Sequence, residues 1–131
     1  MTVQTSIIHK LLVPVIFEGK EHTEITLRRI KVKDMQAIDK KEGTDQVVTM
    51  IARLSEWPHE AVLELDGGDM ASLGEILVFY QAAGNLDWET AAKLIADIAL
   101  VFHWSLSDMM EMEPQELIFW RKQAAERYKT K

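Results

Sequence analysis

Residues 23–28, TEITLR, alternate in character: Thr23, Ile25 and Leu27 fall on one side, Glu24, Thr26 and Arg28 on the other. A period of two fits an extended strand with one buried and one wet face, and fits little else. Just upstream, residues 12–17 are rich in β-branched side chains and run into Glu18-Gly19-Lys20, a tight-turn composition. Together the two runs predict a β-hairpin. Pro14 has no N–H to give to a ladder, so its strand is expected at an edge or with a bulge. A hairpin alone is marginal in water, so it must pack on later parts of the chain.

Those later parts have helical period. Residues 33–41 predict a short helix that stops before Gly43, and Thr44 then caps a second, with Val47, Ile51 and Leu54 recurring at i, i+4 and i+7. Trp57-Pro58 marks a break, and Pro58 suits the first turn of a short helix through Leu63. LDGGD reads as a loop, with Asp66 or Asp69 available as a cap. Met70, Leu73, Leu77 and Tyr80, joined by Ile76, then line a helix that ends near Gly84. Residues 81–87, QAAGNLD, form a short, small and polar joint. Asp87 can cap the next helix, whose apolar face is Trp88, Ala91, Ile95, Ile98 and Phe102. A last helix opens at Pro114 with Glu116 in its first turn and continues through Leu117, Trp120, Ala124 and Tyr128. The expected fold class is α+β: an N-terminal β-hairpin and a mainly helical bundle over residues 1–83, then an all-α helical module over residues 87–131.

Composition narrows the function. Cysteine is absent, which excludes disulfides, thiolate catalysis and Cys-type zinc sites. A net charge of −6 argues against nucleic acid as a partner, because phosphate contacts need a concentrated basic surface. The basic run from Arg121 to Lys131 falls at a predicted helix C-terminus, where cations oppose the dipole. No apolar stretch approaches the roughly 20 residues that cross a bilayer, and the first 20 residues lack the layout of a secretory signal. No membrane is expected, and the bacterial cytoplasm is the expected compartment.

The motifs of catalysis and cofactor binding do not occur. His9, His22, His59 and His103 sit on separate elements, none at a helix-borne metal spacing. Neither a nucleophile elbow nor a phosphate-binding loop is present. Asp66-Gly67-Gly68-Asp69 has too few oxygen ligands for a calcium loop and reads as a helix-capping turn. No enzyme, metal or cofactor is expected.

Aromatic residues and methionines are more informative. Trp88, Phe102, Trp104, Phe119 and Trp120 crowd into the last 45 residues, with Met109, Met110 and Met112 among them. Periodicity assigns Phe102, Leu117 and Trp120 to a helical-hairpin core. For Trp104 and the methionines two roles stay open, core packing or a face for partner proteins, where Trp and Met are over-represented.

Residues 96–127, ADIALVFHWSLSDMMEMEPQELIFWRKQAAER, resemble the short GpE-type tail proteins of temperate contractile-tailed phages. The likeness rests on Phe102-His103-Trp104, the Met-containing acidic stretch, Glu116-Leu117 and Trp120-Arg121. Where such proteins often carry prolines after FHW, this chain has Ser105-Leu106-Ser107. The first 80 residues resemble the tail assembly chaperones of Mu-like phages in the order of their parts: an apolar strand, a Gly turn, TEITLRRI, then helices carrying IARLSEWPHEAVLELDGGDMASLG.

The resemblance implies a binding protein made as a long product, by programmed frameshift or in-frame fusion. Its N-terminal part would coat the tape measure protein, and its C-terminal extension would recruit tail tube subunits. It would then depart, so that the mature virion lacks it. Phe102, His103, Trp104, Met109 and Met110 are the expected partner-binding residues, and self-association is a further expectation. The rivals are a minor tail protein retained in the virion and a small helix-turn-helix regulator placing Arg121 and Lys122 at a DNA backbone.

Overall fold

The computed structural model describes residues 6–84 and 87–129, the side chains of 79–84, 128 and 129 apart. Its elements are β1 (Ser6–Phe17), β2 (Lys20–Arg28), α1 (Val32–Ile38), α2 (Gly43–Ser55), α3 (His59–Leu63), α4 (Gly67–Gly84), α5 (Trp88–Phe102), α6 (Leu106–Met110) and α7 (Pro114–Lys129). The fold is α+β, an antiparallel hairpin followed by helices. Chain packing divides it into two compact units. One is Met1–Arg29 with Lys40–Tyr80, the other Ile30–Asp39 with Gln81–Lys131.

In the first unit the hairpin closes at Glu18-Gly19, with Phe17 paired to Lys20. Both turn residues have positive φ, 53° and 75°, which twists the two-residue loop to match the strands. The ladder runs from Ser6↔Arg28 to Lys10↔Glu24 and resumes only at Val15↔His22, so five steps on β1 oppose two on β2. Pro14, expected at an edge or a bulge, lies in this interruption. Ile25 and Leu27 are buried as their alternation requires, but Thr23 is exposed and His22 half-buried. The broken ladder faces Thr23, so the period-two pattern does not carry past it. At the turn end, the Phe17 ring stacks on His22 with centroids 3.9 Å apart, and Trp57 tilts against both.

The helices of this unit begin and end for local reasons. Thr44 does not cap α2, which starts one residue earlier at Gly43, behind Glu42. Its buried residues are Val48, Met50, Ile51 and Leu54, with Val47 half-buried, so the buried face is turned slightly from the expected stripe. Pro58 precedes α3 rather than opening it. The two candidate caps of LDGGD have separate tasks. The Asp66 carboxylate accepts the Gly68 N–H at 2.9 Å and caps α4, whereas Asp69 lies inside the first turn and turns elsewhere. Leu73 and Leu77 are buried, Met70 and Ile76 half-buried, and Tyr80 lies outside the described side chains.

The second unit is built from α1, α5, α6 and α7. Asp87 caps α5 as expected, accepting the Thr90 N–H at 2.7 Å. His103 ends that helix in the left-handed region (φ 58°), and its N–H returns to the Ala99 carbonyl at 2.8 Å. Ser105, in the stretch where GpE-type proteins often carry prolines, caps α6 by accepting the Asp108 N–H at 3.2 Å. Pro114 opens α7, where its missing N–H costs nothing. Ala91, Ile95, Ile98, Met109, Leu117 and Ala124 are among the buried apolar residues of these C-terminal helices.

Candidate binding surfaces

The interruption in β1 strips two backbone N–H groups of their ladder partners, and these part-buried donors need other acceptors. Asp69, wholly inaccessible to solvent, satisfies them. Its carboxylate accepts the Leu12 N–H at 2.9 and 3.0 Å and the Val13 N–H at 3.3 Å, and meets His9 Nε2 at 3.0 Å. Burial alone would raise the carboxyl's pKa. The bonds from Leu12, His9 and Val13 together outweigh it and hold the group below the usual Asp range. Gly68 lets the bulge come close, since a Cβ there would lie 3.0 Å from the Leu12 methyl.

With its backbone pinned inward at Leu12 and Val13, β1 turns apolar side chains outward. Ile8, Leu12, Val13 and Ile16 are 59, 71, 49 and 71 % exposed. One strand thus presents four large apolar side chains to solvent, an unusual density for a surface with no partner. The apolar run is legible in the sequence as a strand, but its outward face is not. The cause of that face, Asp69, lies 57 residues from Leu12.

The second unit carries an aromatic cluster. Phe102 at the end of α5 stacks on Trp104 with centroids 4.9 Å apart, and Trp120 of α7 meets both edge-on at 5.9 and 5.0 Å. Phe119 adds a fourth ring 5.0 Å from Trp120, and the Arg127 guanidinium stands over Phe102 at 5.5 Å. Phe102, Trp104 and Trp120 are half-buried, and Phe119 is 52 % exposed. Half-exposed, edge-to-face aromatics have the composition of interface anchors.

Of the five expected partner-binding residues, the structure brings Phe102 and Trp104 into this cluster. His103 is exposed and serves as the cap of α5. Met110 is half-buried. Met109 is 1 % exposed, so it packs in the core and has no surface to offer a partner. Trp120, expected in the core by its spacing, shares that role less than Leu117, which is fully buried. Phe119 is not among the expected contact residues because it lies off the Leu117–Trp120–Ala124 stripe. That same displacement points it outward.

Residues 9–81, more than half the chain, match the family described as phage tail assembly chaperone proteins, E, or 41 or 14. The chain belongs to this family. Residues 95–131 match a second family, Phage P2 GpE. No curated protein and no solved structure matches. The outward strip of β1 and its Asp69 anchor lie within the chaperone match, but for Ile8 just before it, and the aromatic cluster lies within the GpE match. Membership in a chaperone family suggests a non-enzymatic role in phage tail assembly, through association with tail proteins. Among the described residues no helix is long and apolar enough to cross a membrane.

Proposed function

We propose that this tail assembly chaperone shields the tape measure protein with its first unit and recruits tail tube subunits with its second. The outward apolar strip of β1 carries the reading. A long apolar helical partner needs a reversible apolar contact, and Ile8, Leu12, Val13 and Ile16 offer an exposed one. The half-exposed cluster of Phe102, Trp104, Phe119 and Trp120 supports a second protein contact, and the half-buried Met110 lies in the neighbouring helix α6. Neither contact requires a catalytic group or cofactor. The work takes place in the host cytoplasm, and the chaperone leaves before the virion is complete.

Co-expression tests both halves. Leu12→Lys with Ile16→Lys is expected to abolish solubilisation of the tape measure protein while circular dichroism is unchanged. Trp104→Ala is expected to keep that solubilisation and to lose tube-protein pull-down by roughly thirty-fold, as for an aromatic hot spot worth ~2 kcal/mol. Leu117→Ala, which removes a buried residue, serves as the folding control at about 2–5 kcal/mol. Normal solubilisation by the doubly charged β1 variant sinks the assignment of the strip. Mass spectrometry of purified particles checks departure, because a retained minor tail protein would appear there at stoichiometric level.

A further inference from the structure

Residues 54–92 hold eight of the chain's 21 acidic residues and none of its 15 Lys and Arg, so the net charge of −6 has its source there. The first part of that stretch forms α3 and the start of α4, next to the outward strip of β1. Helix α3 packs on β1. Its Glu60, and the Glu64 that ends it, are exposed, and Leu63 on the same helix is 58 % exposed. Gly68 marks where strip and acid meet, since a Cβ there would lie 3.0 Å from the Leu12 methyl and 3.1 Å from Asp66 Oδ2.

Strand β2 borders the strip as well. Ladder partners share a face of a sheet, and Ile8 pairs with Thr26, Lys10 with Glu24 and Ile16 with Glu21. Lys10 offsets Glu24 across the ladder. At the turn end Lys20 stands between two exposed glutamates, Glu18 and Glu21, so acid is in excess beside Ile16. The strip thus has acid next to it on both neighbouring parts of the chain.

Length and charge together define what fits. Ile8 to Ile16 spans at most about 26 Å at the ~3.3 Å rise of an extended strand, which a helix of about 17 residues matches. A second copy of this chain brings the same acidic tract, and an anionic membrane surface brings the same sign. Each meets repulsion at the margins where a cationic partner meets attraction.

We infer that the occupant of the β1 strip is an amphipathic helix of the partner protein, about 17 residues long, whose apolar stripe is bordered by Lys or Arg. Apolar contact supplies the seat, and the charges set which helix is taken. The inference rests on the reading of the strip as the tape measure contact and adds the chemistry of the segment that binds.

Three synthetic helical peptides, each about 18 residues long, test it on the full chain. All share one leucine stripe at i, i+3, i+4 and i+7, with the bordering positions filled by Lys, Gln or Glu. Binding is read by fluorescence anisotropy, and circular dichroism checks the fold of every variant. At low salt the Lys peptide is expected to bind at least about tenfold tighter than the Glu peptide, with the Gln peptide between them. High salt should narrow that gap, because it screens charges at a surface. Glu21→Gln, Glu60→Gln and Glu64→Gln together, all at exposed positions, are expected to reduce it to about threefold or less. Leu12→Ser with Ile16→Ser leaves the charge unchanged and is expected to weaken the Lys peptide roughly tenfold or more. Equal binding of the Lys and Glu peptides, or no binding, overturns the proposal. So does a gap that survives the three Glu→Gln changes, or Lys-peptide binding that survives the two serines. A dimer in light scattering, or cosedimentation with anionic lipid vesicles, that the two serines abolish would assign the strip to another occupant and overturn it too. Failure of the tape measure reading alone looks different: the peptides rank as expected, while co-expressed tape measure protein stays insoluble.

Discussion

Asp69 shows how one buried side chain can hold an exposed surface from behind, through its backbone. It lies on the first turn of α4, and its carboxylate oxygens take two N–H groups from β1 together with the His9 ring. Replacing it with Asn keeps the size, loses the charge, and aims an NH₂ group at donors that need acceptors. Leaving a buried donor unsatisfied costs about 1–3 kcal/mol, and these part-buried donors fall at the low end, so Asp69→Asn is expected to lower the urea midpoint by the equivalent of about 1 kcal/mol of stability. The pH dependence has a definite sign. The folded-state pKa lies below the ordinary Asp value near 3.9, so the group's contribution is complete above that value. It is lost as pH falls from there through the lower folded-state value. The acid limb of the wild-type stability profile should therefore flatten in Asp69→Asn, and a parallel limb in the two proteins would assign the acid sensitivity to other carboxylates.

At the level of elements, the hairpin turn carries strain that its residues do not relieve. Both turn positions have positive φ, yet the first is Glu18, a residue with a Cβ that disfavours this region. Glu18→Asn supplies the Asn-Gly pair preferred in such turns and is expected to stabilise the protein by about 0.5 kcal/mol. A shift of thermal midpoint upward checks it, and a downward shift would mean that Glu18 makes a compensating contact. The hairpin, every helix but the five-residue α6, and the roles of Asp87 and Pro114 are legible in the sequence because each is set by local spacing or capping. The face that Thr23 takes is not legible, because it depends on the interruption opposite, and a residue on α4 holds that interruption. Met109 takes the core role of the two left open for it, a choice the sequence could not make because a five-residue helix has too few turns for periodicity to separate its sides. The aromatic cluster is half legible: the rings are visible as an excess and Phe119 lies off the helical stripe, but only packing distinguishes Trp120 from Leu117.

For the whole molecule, the sequence places a joint at residues 81–87, where apolar period gives way to small and polar residues, and the packing adds α1 to the C-terminal side. That addition cannot be read locally, since α1 is followed at once by α2 and lies far in sequence from α5 and α6. It has a measurable consequence. In a chain ending at residue 84, the contacts of α1 with α5 and α6, the ion pairs of Lys31 and Lys33 with Glu111 and the Val32 N–H bond to the Met112 carbonyl are all absent. A seven-residue helix has no stability of its own in water, and each large apolar residue uncovered forgoes roughly 1.5–3 kcal/mol of burial. Residues 32–38 are therefore expected to exchange their amide hydrogens at least about a hundred-fold faster in the truncated chain than in the full chain, an opening difference of roughly 2.7 kcal/mol. Amides of β2, α2 and α3 serve as the internal reference, because α2 packs on β2 and α3 on β1 within the first unit. Protection that falls only at 32–38 means that the C-terminal helices hold α1 in place. Protection that stays at full-chain level there would mean that α1 is secured from its own side of the chain, and the second unit would have to be redrawn without it.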